Sequence, residues 1–180
     1  MNEEFSNFCE TGNLKGLMNH INMNKINIHM DDEYGFRLAC YFGHKHIVEY
    51  LINLYKIHPN YAKINIHVLD ESGFKVACLN GHIHIVEYLI NLHKTNPLYA
   101  KINIHANNDL GFGWACYYRY IHIVKYLINL HKMHTIYAKI NIHSYYENEM
   151  PYDNKHRHII KYLLSCGSYH SNNKIQHIVL

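Results

Sequence analysis

Ala39-Cys40-Tyr41-Phe42-Gly43-His44-Lys45-His46-Ile47-Val48-Glu49-Tyr50-Leu51-Ile52 returns 38 residues later as Ala77-Cys78-Leu79-Asn80-Gly81-His82-Ile83-His84-Ile85-Val86-Glu87-Tyr88-Leu89-Ile90. Around this stretch, Ile-Asn-Ile-His begins at Ile26, Ile64, Ile102 and Ile140, the same spacing of 38 three times over. Residues 26–63 and 64–101 agree at 26 of 38 positions, and 102–139 keeps the frame through Gly111-Phe112, Ala115-Cys116 and His122-Ile123-Val124. Residues 140–180 drift, with His158 matching His122 only after a deletion of two residues. Ahead of the first unit, Phe8-Cys9-Glu10-Thr11-Gly12-Asn13-Leu14 echoes Leu38 to His44. A fixed long period marks a stack of similar units. The expected organisation is one domain: a partial unit over 1–25, regular units at 26–63, 64–101 and 102–139, and a divergent closing unit at 140–180.

Each unit carries two helical patterns. Phe36, Ala39 and Cys40 fall at i, i+3, i+4 in a short first helix spanning Gly35 to Phe42, whose small Ala-Cys pair lets a neighbour approach closely. From about His46 to Lys56, Ile47, Val48, Leu51, Ile52, Leu54 and Tyr55 form a wide apolar stripe. Gly43, like Gly81 and Gly12, suits the turn between the helices. Pro59 marks a helix stop, and Asp31-Asp32-Glu33 ahead of Tyr34-Gly35 predicts a turn. Such a unit cannot bury its own apolar face, so stacking makes the core.

Composition agrees. The chain of 180 residues is 48% apolar and 17% charged, which excludes a disordered tail. A net charge of +3 is too small a surplus to imply nucleic acid. No apolar run approaches the ~20 residues of a membrane helix. The acidic opening Met1-Asn2-Glu3-Glu4 predicts no secretory leader. Five cysteines, an odd number, then suggest reduced thiols in an intracellular compartment. The 18 histidines and 17 tyrosines are mostly a few repeat positions counted several times.

The stretch from Ala39 to Ile52 resembles the Ala-Ala-x-x-Gly-His-x-x-Ile-Val-x-x-Leu-Leu pattern of ankyrin repeats, and Ile26-Asn27 stands where that family has Val-Asn before its hairpin tip. More narrowly, the vocabulary rich in Ile, Asn, Lys and Tyr is similar to the repeat proteins encoded by giant DNA viruses of amoebae. The resemblance implies an all-α solenoid of stacked helix-turn-helix units with short extended hairpin tips, binding a partner protein, in the viral case a host one in the host cytoplasm. Three departures stand out. The period is 38 rather than about 33, with eleven residues from Asn91 to Lys101 where the family has five, so a longer second helix and a bulkier outer loop are expected. The family's Thr-Pro-Leu-His is replaced by Tyr34-Gly35-Phe36-Arg37 and Ser72-Gly73-Phe74-Lys75, which removes the usual Thr cap. Arg119 replaces the turn glycine of the third unit.

The residues offer little chemistry. His29, His67, His105 and His143 form one column, but stacked helices lie about 10 Å apart and zinc needs ligands at about 2 Å. His44/His46 and His82/His84 are two apart rather than i, i+4, and structural hydrogen bonds around the turns are expected of the Gly-His histidines. Cys40, Cys78 and Cys116, with Cys9, occupy one packing position. No phosphate loop or nucleophile elbow is present. No enzyme activity, cofactor or metal is therefore expected.

What remains is a surface. Between the first two units the second helix is identical from His46–Leu54 to His84–Leu92, while seven of the twelve differences fall on the tip and first helix. In ankyrin proteins those regions line the concave groove, so the resemblance places a binding site on Asp31, Asp32, Glu33, Tyr34, Arg37, Tyr41, Asp70, Glu71, Ser72, Lys75, Leu79, Asp109, Trp114 and Tyr117. Phe42 and Tyr118 are further aromatic candidates. Asp31, Asp32, Glu33, Asp70, Glu71, Asp109, Glu147 and Glu149 gather at the expected tips, with Lys56, Lys63, Lys94, Lys101, Lys132 and Lys139 opposite. Acids favour helix N-termini and cations C-termini, yet the sum is an acidic rim suited to a basic protein partner. Neither nucleic acid nor membrane is expected, and the chain is expected as a monomer or weak self-associate. Alternatives are a self-assembling structural repeat and a His-rich metal surface. Leu89→Ala, a truncation in the predicted core, is expected to cost about 2–5 kcal/mol in a denaturant melt.

Overall fold

The computed structural model describes residues 3–133 and 156–166. The described residues form helices α1 (Glu3–Thr11), α2 (Leu14–Met23), α3 (Met30–Phe42), α4 (Lys45–Ile57), α5 (Val68–Leu79), α6 (Ile83–Thr95), α7 (Ala106–Tyr117), α8 (Ile121–Met133) and α9 (Arg157–Ser165). Four antiparallel pairs, α1–α2, α3–α4, α5–α6 and α7–α8, stack in chain order. The first helices pack closely on one another, while the second helices approach each other at few points. The layer of first helices is thus the tighter, inner one of the two. This is the all-α solenoid; α4 keeps its expected bounds to within a residue, while α3 begins at Met30, five residues before the expected Gly35. Of the residues named in the expectations, Lys139, His143, Glu147 and Glu149 lie outside the described residues.

The apolar stripe of the second helix is the core: Ile47, Val48, Leu51, Ile52 and Leu54 are buried on α4, and Ile85, Val86, Leu89, Ile90 and Leu92 repeat them on α6. At the turn between paired helices, the N–H of Asn13, His44, His82 and Tyr120 donates to Phe8, Ala39, Ala77 and Ala115 O at 2.8–3.0 Å. This six-to-one closure requires a left-handed residue in between. Gly12, Gly43 and Gly81 supply it, and Arg119, at φ 66°, is forced into it. The Gly-His expectation holds: His44 Nε2–H donates to Glu10 O, His82 Nε2–H to Tyr41 O and His156 Nε2–H to Tyr117 O, at 2.7–2.9 Å, each joining one unit to the one before.

Close approach of the first helices rests on a notch. A Cβ on Gly35 would stand 2.3 Å from Phe5 Cε1, one on Gly73 2.5 Å from Phe36 Cε1, and one on Gly111 2.9 Å from Phe74 Cε1. Each phenylalanine ring thus fills the space its successor's glycine leaves. Cys9, Cys40 and Cys78 Sγ line the same notches. Burial pushes the Cys9 thiol up to about 12 and the Cys40 and Cys78 thiols higher still.

The extra residues of the long repeat build a packed outer loop. Tyr99 is buried and its hydroxyl donates to Ile52 O at 2.9 Å. Asn96 Nδ2 donates to Tyr55 Oη at 3.0 Å, and Lys63 Nζ to Leu98 O.

Two outcomes follow for stability. Gly73→Ala forces a methyl group onto Phe36 and is expected to cost about 1–3 kcal/mol. Arg119→Gly relieves a left-handed non-glycine residue and is expected to add about 1 kcal/mol. Urea melts of the two variants against the native chain check both.

Candidate protein-interaction surface

Each tip is a left-handed turn rather than an extended hairpin. Asp31, Asp32 and Glu33 have φ 53–59°, Leu69, Asp70 and Glu71 φ 48–64°, and Asn107, Asn108 and Asp109 φ 49–63°. No strand is present among the described residues. In place of the expected hairpin, side chains around the turn bind its backbone. Asn27 Oδ1 accepts from His29 N at 3.0 Å, and the turn brings the Glu33 carboxylate onto the histidine. His29 Nδ1–H donates to Glu33 Oε1 at 2.9 Å, and the same oxygen accepts Asn65 N–H of the next unit at 2.9 Å. His67, Glu71 and Asn103 N repeat this at 2.9 and 3.0 Å. At the third tip His105 Nδ1–H donates to Asp109 Oδ1 at 2.6 Å. No side-chain hydrogen bond caps α3, α5 or α7 at its N-cap histidine.

This geometry divides the expected site residues. Glu33, Glu71 and Asp109 are 4–5% exposed and turned inward, away from the surface. A carboxylate buried here is tolerable because it is paired and hydrogen-bonded. Lys75, 8% exposed, is also withdrawn: its Nζ donates to Asn107 Oδ1 of the next tip at 2.7 Å and to Leu69 O at 3.3 Å. Arg37 straps its own tip, donating from Nε to Asp32 O and from Nη2 to Asp31 O, both at 2.9 Å. Its guanidinium also stands 5.4 Å from the Tyr34 ring centroid. Asp31, Asp32, Asp70, Tyr41 and Tyr117 are exposed, and Tyr34, Ser72, Leu79 and Trp114 half-buried.

The exposed and half-buried set forms one stripe per first helix: Tyr34, Leu38 and Tyr41 on α3, Ser72, Val76 and Leu79 on α5, Leu110, Trp114 and Tyr117 on α7. Leu38, Val76 and Leu110 were not among the expected residues, although they stand four from Tyr34, Ser72 and before Trp114, the spacing of one helix face. Leu69, 53% exposed at the second tip, was also missed. Phe42 packs edge-on against Tyr41 at 5.0 Å, and Tyr118 against Tyr117 at 4.9 Å. All four rings are at least 40% exposed.

Among the described residues no group of three His, Cys, Asp or Glu side chains could hold a metal ion. Nor is any described helix long and apolar enough to cross a membrane.

A family model described as ankyrin repeats (3 copies) matches residues 36–144. No curated protein and no solved structure matches the chain. The family match spans more than half of the residues, from within α3 through α8, and the chain belongs to the ankyrin-repeat family.

Proposed function

We propose that the chain is a non-catalytic binding module that takes a partner protein on the face made by its first helices and tips. Ankyrin repeats are generally protein–protein interaction modules, and one observation on this chain carries the reading further. Tyr41 and Tyr117, each 43% exposed, stand at equivalent positions two units apart with apolar or aromatic neighbours along each helix. The core does not need them, since Phe36, Phe74 and Phe112 already fill it. Exposed aromatic side chains on a rigid scaffold provide large contact area at small ordering cost, which is how interfaces concentrate their binding energy. The raised thiols of Cys9, Cys40 and Cys78 speak against a cysteine nucleophile.

Charge supports the reading less than the sequence suggested. With Glu33, Glu71 and Asp109 turned inward, the described tips offer Asp31, Asp32 and Asp70, with Arg37 and Lys75 close by.

The test is a double variant, Tyr41→Ser with Tyr117→Ser. Both positions are exposed, so its melt is expected to stay within about 0.5 kcal/mol of the native chain. The native chain, immobilised, is expected to retain a cell protein that the variant releases. Equal retention by both would remove this face from the site. Retention of the chain's own copies alone, with rising mass in sedimentation, would favour self-assembly.

A further inference from the structure

The inner face changes character along the stack. The positions of Tyr34, Leu38 and Tyr41 on α3 are held on α1 by Glu3, Asn7 and Glu10, all exposed. Two units on, α7 holds Leu110, Trp114 and Tyr117 there. The tips shift in the same direction. Their two solvent-facing positions read Asp31-Asp32, then Leu69-Asp70, then Asn107-Asn108, all six exposed. Carboxylates at these positions fall from two to one to none. Beyond Asp109 the described residues contain no acid, while Arg119, Lys125, Arg157 and Lys161 are cationic. Helix side chains and turn side chains thus grade together, from anionic at α1 to apolar at α7.

Resting on the binding-module reading, we infer that the partner presents an extended polypeptide segment, cationic at one end and apolar at the other. Its cationic end lies on α1 and the first tip, and its apolar end against Trp114. The reverse orientation would set cations on Leu110 and Trp114 beside Arg119, desolvating them near a like charge, while apolar groups would cover Glu3 and Glu10. Length fixes the segment's size. Three steps of about 10 Å between stacked helices span what about nine extended residues reach at ~3.3 Å each. A helix would need about twenty.

Trp114 is the chain's one tryptophan, so its emission reports that end of the face. The probes are two peptides of about ten residues, each with lysines at one end and leucines and valines at the other. They contain no Trp or Tyr, and a dansyl energy acceptor is attached to the apolar end of one and the lysine end of the other. Saturable transfer from Trp114 is expected to be severalfold stronger to the apolar-end label. Glu10→Gln with Asp31→Asn is expected to weaken binding about three- to tenfold and flatten its dependence on salt. Binding with equal or reversed transfer, or with undiminished affinity in the variant, would overturn the polarity and leave the binding module standing. No response to either peptide, when the protein retained in the capture experiment does shift Trp114 emission, would overturn the segment alone. No response to the peptides and no cell protein that shifts Trp114 emission would overturn both.

Discussion

One carboxylate oxygen at each of the first two tips closes two bonds at once. Glu33 Oε1 accepts from His29 inside its own unit and from the backbone of Asn65 in the next, and Glu71 Oε1 does the same for His67 and Asn103. Three consecutive left-handed residues cost about 3–6 kcal/mol per tip at 1–2 each. Two hydrogen bonds to a charged, buried acceptor contribute about the same. Half of that contribution comes from the neighbouring unit. A tip is therefore stable as part of the stack and strained alone, which couples neighbours more tightly than apolar contact would.

The same economy shapes the inner layer. Gly35, Gly73 and Gly111 give up their side chains so that the preceding phenylalanine can enter, and the Ala-Cys pairs keep the helices close. Tyr41, Tyr117 and Trp114 are what this layer has left to present outward, held on rigid helices. A partner meeting them loses little entropy in ordering them.

Much of this was legible in the sequence because periodicity reports burial directly. The stripe of Ile47, Leu51 and Leu54, the turn at Gly43 and the stop before Pro59 follow from local rules that hold in any stack. Glu33, Glu71 and Asp109 were misread as a rim because an acid beside a turn is ordinarily solvated. Three left-handed residues reverse that, swinging the last side chain inward onto a histidine four positions back. No propensity announces such a run in Asp-Asp-Glu or Leu-Asp-Glu. Arg37 and Lys75 are drawn in by the same tips, Arg37 onto the carbonyls of Asp31 and Asp32 and Lys75 onto Leu69 O and the Asn107 side chain of the next unit. The notch role of glycine was hidden differently: Gly73 and Phe36 are 37 positions apart, and only the stacked register brings them together.

The outer layer has a further consequence. From His46 to Leu54 and from His84 to Leu92 the second helices are the same nine residues, so α4 and α6 fit each other's sites equally well. Over these nine residues the outer layer carries no address. Two chains folding side by side could exchange these nine-residue segments and keep their contacts, and of the outer layer only the flanking residues, such as Tyr55 with Asn96, tell α4 from α6. Discrimination falls to the inner layer and the tips, where Arg37 meets its own turn but Lys75 reaches forward to Asn107. The residues that distinguish one unit from another are thus also the ones that keep the chain from assembling out of order.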